Sequence, residues 1–441
     1  MRSKKVLEGA LVALVALASC NKTMEPLYTT PAEWMKSYLG AGAARSIQQT
    51  ADGGYIVAGP GYGLCVLKLG SDGVPSWQKI FRGNAFAYAT CIQKTGDGGY
   101  IVAANTSSFG AGDNDFWVLK LASDGQVSWQ KTYGGSYSDF VSCIQQTGDS
   151  GYIVLGYTFS FGAGNTDLWI LKLASDGAVS WQKTYGGSST DYATSIRQTA
   201  EGGYIVAGYS LSFGAHGNLW MLKLASDGQV SWQKTYDGTS YGDGWVYDWA
   251  FSVRQTTDFG YIIAGYTLSS SADKDLWVLK LASDGAVSWQ KTYGGSLDDW
   301  ATCIEQTADD GYVVAGMYGG SASSQGNPWV LKLASDGQVS WQKTYWGKPP
   351  YNSPGVAYSI QKTNDSGYVV AGDLSGLWVL KLTSNGQLPG SRLAIDTSAT
   401  PASSSAISAD TSVSGMYTSA TVSNTSVALE DTSASVIVHY P

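Results

Sequence analysis

Residues 194–236 read TSIRQTAEGGYIVAGYSLSFGAHGNLWMLKLASDGQVSWQKTY, and this stretch decides the fold. It contains four short apolar or alternating runs, TSIRQT, GYIVAGY, LWMLKL and VSWQKTY, and no helical period. Clusters of Gly, Asp and Ser separate the runs, and the SDG between the third and fourth run supplies the Asp-Gly pair of a tight hairpin. Four antiparallel strands in about 50 residues are typical of one propeller blade.

The same unit occurs seven times along the chain. Its phrase G-Y-[IV]-[VI] places a tyrosine at Tyr55, Tyr100, Tyr152, Tyr204, Tyr261, Tyr312 and Tyr368. The pattern begins with a lone fourth run around Trp34 and ends with only the first three runs, so the two ends together complete a seventh unit. Closing a ring in this way removes exposed strand edges. We therefore predict an all-β fold over residues 31–389: a seven-bladed β-propeller of four-stranded antiparallel blades, closed by an N-terminal strand that completes the last blade.

The N-terminal segment has the features of an export signal. Basic residues precede an apolar run over residues 6–18, which ends in Leu17-Ala18-Ser19-Cys20. This element resembles the lipobox of bacterial lipoproteins, and the resemblance implies lipidation of Cys20. An ordinary secretory peptide with an incidental cysteine is the alternative. We expect a lipoprotein signal peptide over residues 1–19, a linker over 20–30, and an exported protein anchored by lipid in the bacterial envelope, at the outer membrane or the cell surface.

The C-terminal segment differs in composition from the repeats. Residues 390–441 are rich in Ser and Thr, with recurring DTSA and TSAxV phrases. Such a segment buries little apolar surface, so we expect a low-complexity tail that is flexible or weakly β-structured. The stretch SASVIVHY within it has strand alternation and could pair with a partner.

Composition excludes several classes of function. The formal net charge is −8, from 27 Lys and Arg against 35 Asp and Glu, so no basic excess exists to bind nucleic acid. Only two histidines are present, which leaves almost no material for His-based metal sites or Ser-His-Asp catalysis. We predict a monomer that binds no nucleic acid, no metal and no cofactor.

The run from third to fourth strand carries a family resemblance. Residues 168–183, LWILKLASDGAVSWQK, resemble the repeats of pyrroloquinoline-quinone propellers and of the lipoprotein subunit of the outer-membrane barrel assembly machinery. The whole unit is similar to that of a large group of uncharacterised bacterial and archaeal surface proteins. The resemblance implies a quinoprotein-like fold rather than an activity. Because the chain has seven units instead of eight and lacks the adjacent Cys pair and metal-ligand pattern of the quinone enzymes, we predict no quinone.

Most conspicuous residues recur once per unit and are interpreted as packing residues. Thirteen of the 17 tryptophans hold third-strand or fourth-strand positions. Counting outward from the hairpin places Lys172 opposite Trp181, where its stem would cover the indole in a cation-π or snorkelling role. The cysteines are interpreted as small core residues, with Cys91 and Cys143 as the best-placed pair if a disulfide forms.

Functional residues are expected where the repeat breaks, in the loops from the fourth to the next first strand and from the second to the third strand. The four tryptophans outside the repeat positions, Trp245, Trp249, Trp300 and Trp346, all lie in or next to the first loop set. Aligned aromatic residues predict an arc at the mouth of the central channel: Tyr88, Phe140, Tyr192, Trp249 and Trp300. Acidic residues occupy one aligned position, where they either cap turns between blades or supply a general acid and base: Asp139, Asp191, Asp248 and Asp299.

Two functions are compatible with these residues. The preferred one is a non-catalytic, lipid-anchored scaffold that binds a protein or polysaccharide partner. The binding residues would be Trp245, Trp249, Trp300, Trp346, Phe140, Tyr192, Asp248 and Asp299. The alternative is a carbohydrate-active, endoglucanase-like hydrolase that uses carboxylates on the same loop face. We assign no catalytic residue.

Overall fold

The computed structural model describes residues 34–38, 42–61, 63–213, 217–238, 248–268, 273–320, 326–345, 355–374 and 376–388, together with the backbone of seven short strands between residues 394 and 438. All secondary structure in this part of the chain is β. No helix within it is long and apolar enough to cross a lipid bilayer.

Seven four-stranded antiparallel blades form a ring, as the repeats predict. The N-terminal strand is β1 (Trp34–Tyr38). Blades 1 to 3 consist of β2 (Ser46–Gln49), β3 (Tyr55–Pro60), β4 (Leu64–Leu69) and β5 (Pro75–Arg82); β6 (Ala87–Lys94), β7 (Tyr100–Thr106), β8 (Asp115–Leu121) and β9 (Val127–Gly134); and β10 (Asp139–Gln146), β11 (Tyr152–Thr158), β12 (Asp167–Leu173) and β13 (Val179–Tyr185). Blades 4 to 6 consist of β14 (Asp191–Gln198), β15 (Tyr204–Ser210), β16 (Asn218–Leu224) and β17 (Val230–Asp237); β18 (Trp249–Gln255), β19 (Tyr261–Leu268), β20 (Lys274–Leu281) and β21 (Val287–Tyr293); and β22 (Asp298–Gln306), β23 (Tyr312–Gly320), β24 (Asn327–Leu333) and β25 (Val339–Tyr345). Blade 7 consists of β26 (Val356–Lys362), β27 (Tyr368–Asp373), β28 (Leu377–Leu382) and β1.

The seventh blade closes the ring. Strand β1 pairs antiparallel with β28, with Trp34 opposite Lys381 and Tyr38 opposite Leu377. The predicted completion of the last blade by the N-terminal strand is therefore confirmed. A chain that closes in this way leaves no blade without a neighbour on either side.

The Ser/Thr-rich tail adds a fifth strand to every blade. Weak β-structure was one expectation for this segment, but its pairing with the blades was not predicted. Its strands are β29 (Ala394–Asp396), β30 (Ala402–Ser403), β31 (Ile407–Asp410), β32 (Met416–Tyr417), β33 (Thr421–Asn424), β34 (Ala428–Thr432) and β35 (Val436–Val438). Each one pairs antiparallel with the outermost strand of a blade. The order runs backwards around the ring, from blade 6 down to blade 1 and then to blade 7.

Apolar residues from adjacent blades form the core. The third-strand tryptophans are fully buried: Trp117, Trp169, Trp220, Trp277, Trp329 and Trp378. Fourth-strand tryptophans are half-buried, and several donate their indole N–H to a carbonyl of the next blade's SDG hairpin, as Trp181 does to Ser226 at 3.2 Å. The packing role predicted for the repeat tryptophans is confirmed.

The repeated third-strand lysine has a different role from the predicted one. Lys172 does lie opposite Trp181 in register, as expected. Its side chain is nevertheless almost completely buried, and its Nζ forms an ion pair at 2.8 Å with Asp149 in the hairpin between the first and second strands. The ammonium that lies over Trp181 is that of Lys183, 6.0 Å from the ring centroid. The expected cation-π role of Lys172 is therefore wrong, because a carboxylate within reach attracts the ammonium more strongly than a ring does.

Candidate functional site

One face of the ring carries a continuous row of aromatic side chains. This face bears the loops from the fourth to the first strand and from the second to the third strand. We call the row the aromatic arc and define it by Phe140, Tyr157, Tyr192, Tyr209, Trp249, Phe251, Tyr266 and Trp300. It crosses blades 3 to 6 and includes four of the residues proposed from the sequence, Phe140, Tyr192, Trp249 and Trp300.

Strand register explains why these rings meet. Within a blade, the first residues of the inner strand lie opposite the last residues of the second strand, as Tyr192 lies opposite Tyr209 and Trp249 opposite Tyr266. Between blades, the second-strand ring of one blade meets the first-strand ring of the next. Tyr157 thus packs edge-on against Tyr192, with centroids 4.8 Å apart, and Tyr209 stacks on Trp249 at 4.8 Å and an interplanar angle of 13°. Such contacts connect the rings from Phe140 in blade 3 to Tyr266 in blade 5, and Lys274 links Tyr266 to Trp300 of blade 6.

A single cation lies at the far end of the arc. Lys274 places its Nζ 5.1 Å from the ring centroid of Tyr266 and 5.4 Å from that of Trp300, so it bridges blades 5 and 6. Burial is the main cause that raises the pKa of Tyr157 to about 12, and its hydroxyl is therefore neutral at physiological pH. The arc is an apolar surface with one positive charge.

Exposure differs along the arc. Phe140, Tyr192, Trp249 and Trp300 are half-buried, whereas Tyr209 is only 2% exposed and supports Trp249 from below the surface. Phe159 extends the row at the blade 3 end and is 44% exposed. The arc is therefore held rigidly by packing and remains accessible to a ligand.

Several arc residues were missed by the sequence analysis. Tyr157, Tyr209 and Tyr266 end the second strand, where the phrase GYIVLGY or its variants repeats a second tyrosine in blades 3, 4 and 5. That second tyrosine was the available signal. Of the other proposed residues, Trp245 and Trp346 lie outside the described residues. Tyr88 contacts Phe86 with ring centroids 5.4 Å apart and is near enough to Tyr157 to raise its pKa slightly.

The proposed acidic residues are buried beneath the loops. Asp139, Asp191, Asp248 and Asp299 have no or almost no accessible surface. Asp248 accepts a hydrogen bond from the backbone N–H of Gly238 at 2.8 Å, and Asp299 accepts one from Gly295 at 2.7 Å. This is the turn-capping role that the sequence analysis weighed against catalysis. Burial raises the pKa of Asp248 to about 7 and that of Asp299 to about 6.

A second aspartate approaches the capping aspartate at three blade junctions. Asp167, at the start of a third strand, lies close to Asp191 of the next blade, and Gly186 lies between them. A β-carbon on Gly186 would be 1.7 Å from Oδ1 of Asp167 and 2.8 Å from Oδ2 of Asp191, so this position excludes any side chain. In blade 4 the glycine is replaced by Asp237, and the third-strand aspartate is there replaced by Asn218. The repeat thus avoids a third buried carboxylate at the same junction.

The central channel contains a polar cavity of about 390 Å³, lined by the inner strands. Arg254 forms a buried ion pair with Glu305 of the next blade, with Nη2 2.6 Å and Nε 2.9 Å from Oε1. Arg197 donates from Nη1 to Sγ of Cys143 at 3.1 Å. The four described cysteines are free thiols. Cys65, Cys143 and Cys303 are buried core residues, as predicted, and Cys91, Cys143 and Cys303 also line this cavity.

Two thiols of the channel, those of Cys91 and Cys143, interact across the junction of blades 2 and 3. A hydrogen bond from Cys91 and the positive charge of Arg197 hold the pKa of the Cys143 thiol well below its usual range. Cys91, in turn, keeps its proton because that hydrogen bond and its burial raise its pKa. The two residues of the pair proposed from the sequence are therefore neighbours without a covalent bond. In the described part of the chain, no three His, Cys, Asp or Glu side chains are arranged to hold a metal ion.

The known proteins that resemble this chain are solved structures of low sequence identity. No protein-family model matches the chain, and no curated protein matches it. A solved structure of a protein of unknown function from Bacteroides caccae is similar at 12% identity and a TM-score of 0.36, covering 59% of this chain and 94% of the other. The WD40 β-propeller domain of Doa1 is similar at 10% identity and a TM-score of 0.44, covering 79% of this chain and 96% of the other.

Proposed function

We propose that the protein is a non-catalytic binding scaffold, lipid-anchored in the bacterial envelope, and that its partner binds on the aromatic arc. The observation that carries the proposal is the continuity of the arc over four neighbouring blades. Large, rigid aromatic side chains that are half-exposed are the residues that dominate binding energy at protein interfaces. Trp249 and Trp300 also lack a counterpart in every blade, unlike the tryptophans that pack between blades, such as Trp220.

The geometry of the rings favours a protein partner over a polysaccharide. A sugar ring stacks on an open aromatic face, but Tyr209 covers one face of Trp249, and Tyr192 and Phe251 stand nearly parallel to the same ring. Stacking of this kind leaves fewer open ring faces for a sugar, whereas a half-exposed aromatic surface fits the apolar side chains of a protein. The adjacent carboxylates are buried and do not offer acceptors to sugar hydroxyls.

The same burial weakens the hydrolase alternative. A glycosidase needs two carboxyl groups that reach the scissile bond from opposite sides. Asp248 and Asp299 instead point into the turns beneath the loops, where backbone N–H groups bind them. The lipid anchor rests on the lipobox resemblance at Cys20, which lies outside the described residues.

Substitution within the arc tests the proposal. We expect the soluble fragment that begins at residue 24 to bind a protein of the cell envelope. Trp249→Ala and Trp300→Ala should each weaken that binding at least about tenfold, in the range of interface hot spots. Phe259→Ser is the matched control, because Phe259 is 56% exposed in a hairpin on the other face, and blades 3 and 7 have Ser150 and Ser366 at the same left-handed position. Binding is measured by surface plasmon resonance after chemical denaturation has verified folding.

Three outcomes would contradict the proposal. A retained protein that binds both tryptophan variants as tightly as the wild type would show that the arc is not the site. Binding to a glycan array with no protein retained would favour a polysaccharide partner. Release of reducing sugars from a polysaccharide by the wild type would favour the hydrolase.

A further inference from the structure

The C-terminal tail has a seven-residue repeat. Residues 393–441 divide into seven consecutive heptads, LAIDTSA, TPASSSA, ISADTSV, SGMYTSA, TVSNTSV, ALEDTSA and SVIVHYP. The first six share one pattern at their last three positions, Thr or Ser, then Ser, then Ala or Val. The number of heptads equals the number of blades, and one tail strand pairs with each blade. Composition alone would not produce this agreement between a sequence period and a ring.

Strand register links the two repeats residue by residue. In every blade, the fourth residue of a heptad lies opposite the lysine that follows the Trp-Gln or Trp-Met pair of the outermost strand. The seven pairs are Asp396 with Lys343, Ser403 with Lys291, Asp410 with Lys234, Tyr417 with Lys183, Asn424 with Lys131, Asp431 with Lys79 and Val438 with Lys36. A period of seven is what keeps this register in phase from one blade to the next.

The residues at the fourth heptad position are of a type that suits a place opposite lysine. Three of the seven residues there are aspartates, and two more are Ser and Asn. Opposite charges directly across an antiparallel pair are favourable, and like charges are unfavourable. No heptad has Lys or Arg at any position. The tail therefore has a composition suited to a row of lysines.

We propose that the outer edges of the seven blades are seven equivalent sites for an extended peptide of heptad period, and that residues 393–441 are their built-in ligand, a belt around the propeller. Recognition is by strand addition, in which main-chain hydrogen bonds supply the affinity and the residue opposite the lysine sets the register. Each tail strand has only two to five residues and is weak alone. Linkage of seven such strands in one chain makes every later pairing intramolecular, so the belt holds through multivalency.

The belt also covers the outer strand edges, which could otherwise pair with other chains. An outer strand without a fifth strand presents unpaired N–H and C=O groups to other chains. The tail occupies these edges on all seven blades, and the same segment from a second copy is the partner best fitted to them when the belt is released. This inference is independent of the partner proposed for the aromatic arc, because it concerns the outer edges and not the loop face.

Matched lysine substitutions in the full chain test the register. Ser403→Lys with Asn424→Lys places a lysine opposite Lys291 and Lys131. Ser405→Lys with Ser426→Lys puts the same charges at the sixth position of the same two heptads, two residues away in sequence from the position opposite the lysine. Amide hydrogen exchange with mass spectrometry reports protection of β30, β33 and the outer strands β21 and β9. We expect exchange there to become about tenfold faster in the first variant and to stay unchanged in the second.

Deletions test the period. Removal of residues 414–420, one whole heptad, keeps the phase and should leave six outer strands protected and one exposed, with loss of protection at the end of the belt. Removal of residues 418–420 alone breaks the phase, and we expect all strands beyond the deletion to lose protection. Tail amides that exchange in the wild type at the rate of an unstructured peptide would overturn the belt. Equal protection in each matched pair of variants would overturn the heptad register.

Discussion

Buried aspartates at the blade junctions make stability depend on pH. Burial raises the pKa of Asp115, Asp275 and Asp299 to about 6 and that of Asp248 to about 7. In the unfolded chain these groups titrate near the ordinary value of about 3.9. The folded state therefore binds more protons than the unfolded state between about pH 4 and 7, and these groups stabilise the fold progressively as the pH falls through that window.

We expect the free energy of unfolding, measured by urea denaturation, to be higher at pH 5.5 than at pH 7.5. Asp248→Asn keeps an acceptor for the N–H of Gly238 and cannot ionise, so it should reduce the difference between the two pH values. The hairpin acids oppose this trend only at lower pH. Lys68 holds the pKa of Asp52 at about 2 despite partial burial, and the equivalent lysine lowers the pKa of Asp365 in the same way. A denaturation midpoint that is unchanged or lower at pH 5.5 would contradict the assignment.

At the scale of single residues, repetition decided what could be predicted. Trp249 and Trp300 were identifiable because they break the pattern, and Asp248 and Asp299 because they share an aligned position. Tyr209 has equivalents in Tyr157 and Tyr266, so it did not stand out from the repeat as a site residue, although it supports the arc from below. The ion pair of Lys172 was missed because counting from one hairpin gives the cross-strand neighbour and not the acid in the other hairpin.

Among the elements, the outer strands are fastened to the next blade by tyrosine hydroxyls. At six junctions the last tyrosine of the outer strand donates to a glycine carbonyl in the next SDG or SNG hairpin, at 2.6–2.8 Å. The six donors are Tyr38, Tyr133, Tyr185, Tyr236, Tyr293 and Tyr345. At the junction of blades 1 and 2 the equivalent residue is Phe81, which has no hydroxyl.

We expect Tyr236→Phe to lower the free energy of unfolding by about 1 to 2 kcal/mol, because it removes a buried hydrogen bond to the carbonyl of Gly285 and leaves the ring in place. The reverse change, Phe81→Tyr, supplies the missing hydroxyl at its own junction and should be neutral or stabilising. Chemical denaturation of both variants measures the effects. Equal losses in the two variants would mean that volume, and not the hydrogen bond, governs this position.

Strand prediction succeeded where the repeat is about 50 residues long and failed where it is short. The blade unit contains complete hairpins with turn signals, so its four strands could be read directly. The tail unit contains one short strand and no turn of its own, and its Ser and Thr content resembles that of unstructured segments. Its recurring DTSA phrase was visible in the sequence. A seven-residue period does not by itself predict a strand, because the tail strands form only by pairing with the outermost strands of the seven blades.

For the molecule as a whole, the proposed lipid anchor would determine the cellular location of the propeller. If the proposed anchor is correct, we expect labelled palmitate to enter the wild-type protein and not Cys20→Ala, because the proposal makes Cys20 the acylated residue. Fractionation of the envelope should then show the wild type with membranes and the variant in the soluble fraction. Cys65→Ala, which changes a fully buried thiol in blade 1, is the control and should incorporate label normally. Incorporation that survives the loss of Cys20 would rule out the anchor.

The position of β1 between β28 and β35 has a consequence for biosynthesis. Strand β1 is made long before its two neighbours in the blade, which contain Lys381 and Val438. At about 5–20 residues per second, β1 waits for tens of seconds without either partner. A ring whose closing contacts are so distant in sequence also folds slowly once the chain is complete. Until those two strands are available the ring stays open and incomplete, and the chain has to be kept soluble for that time.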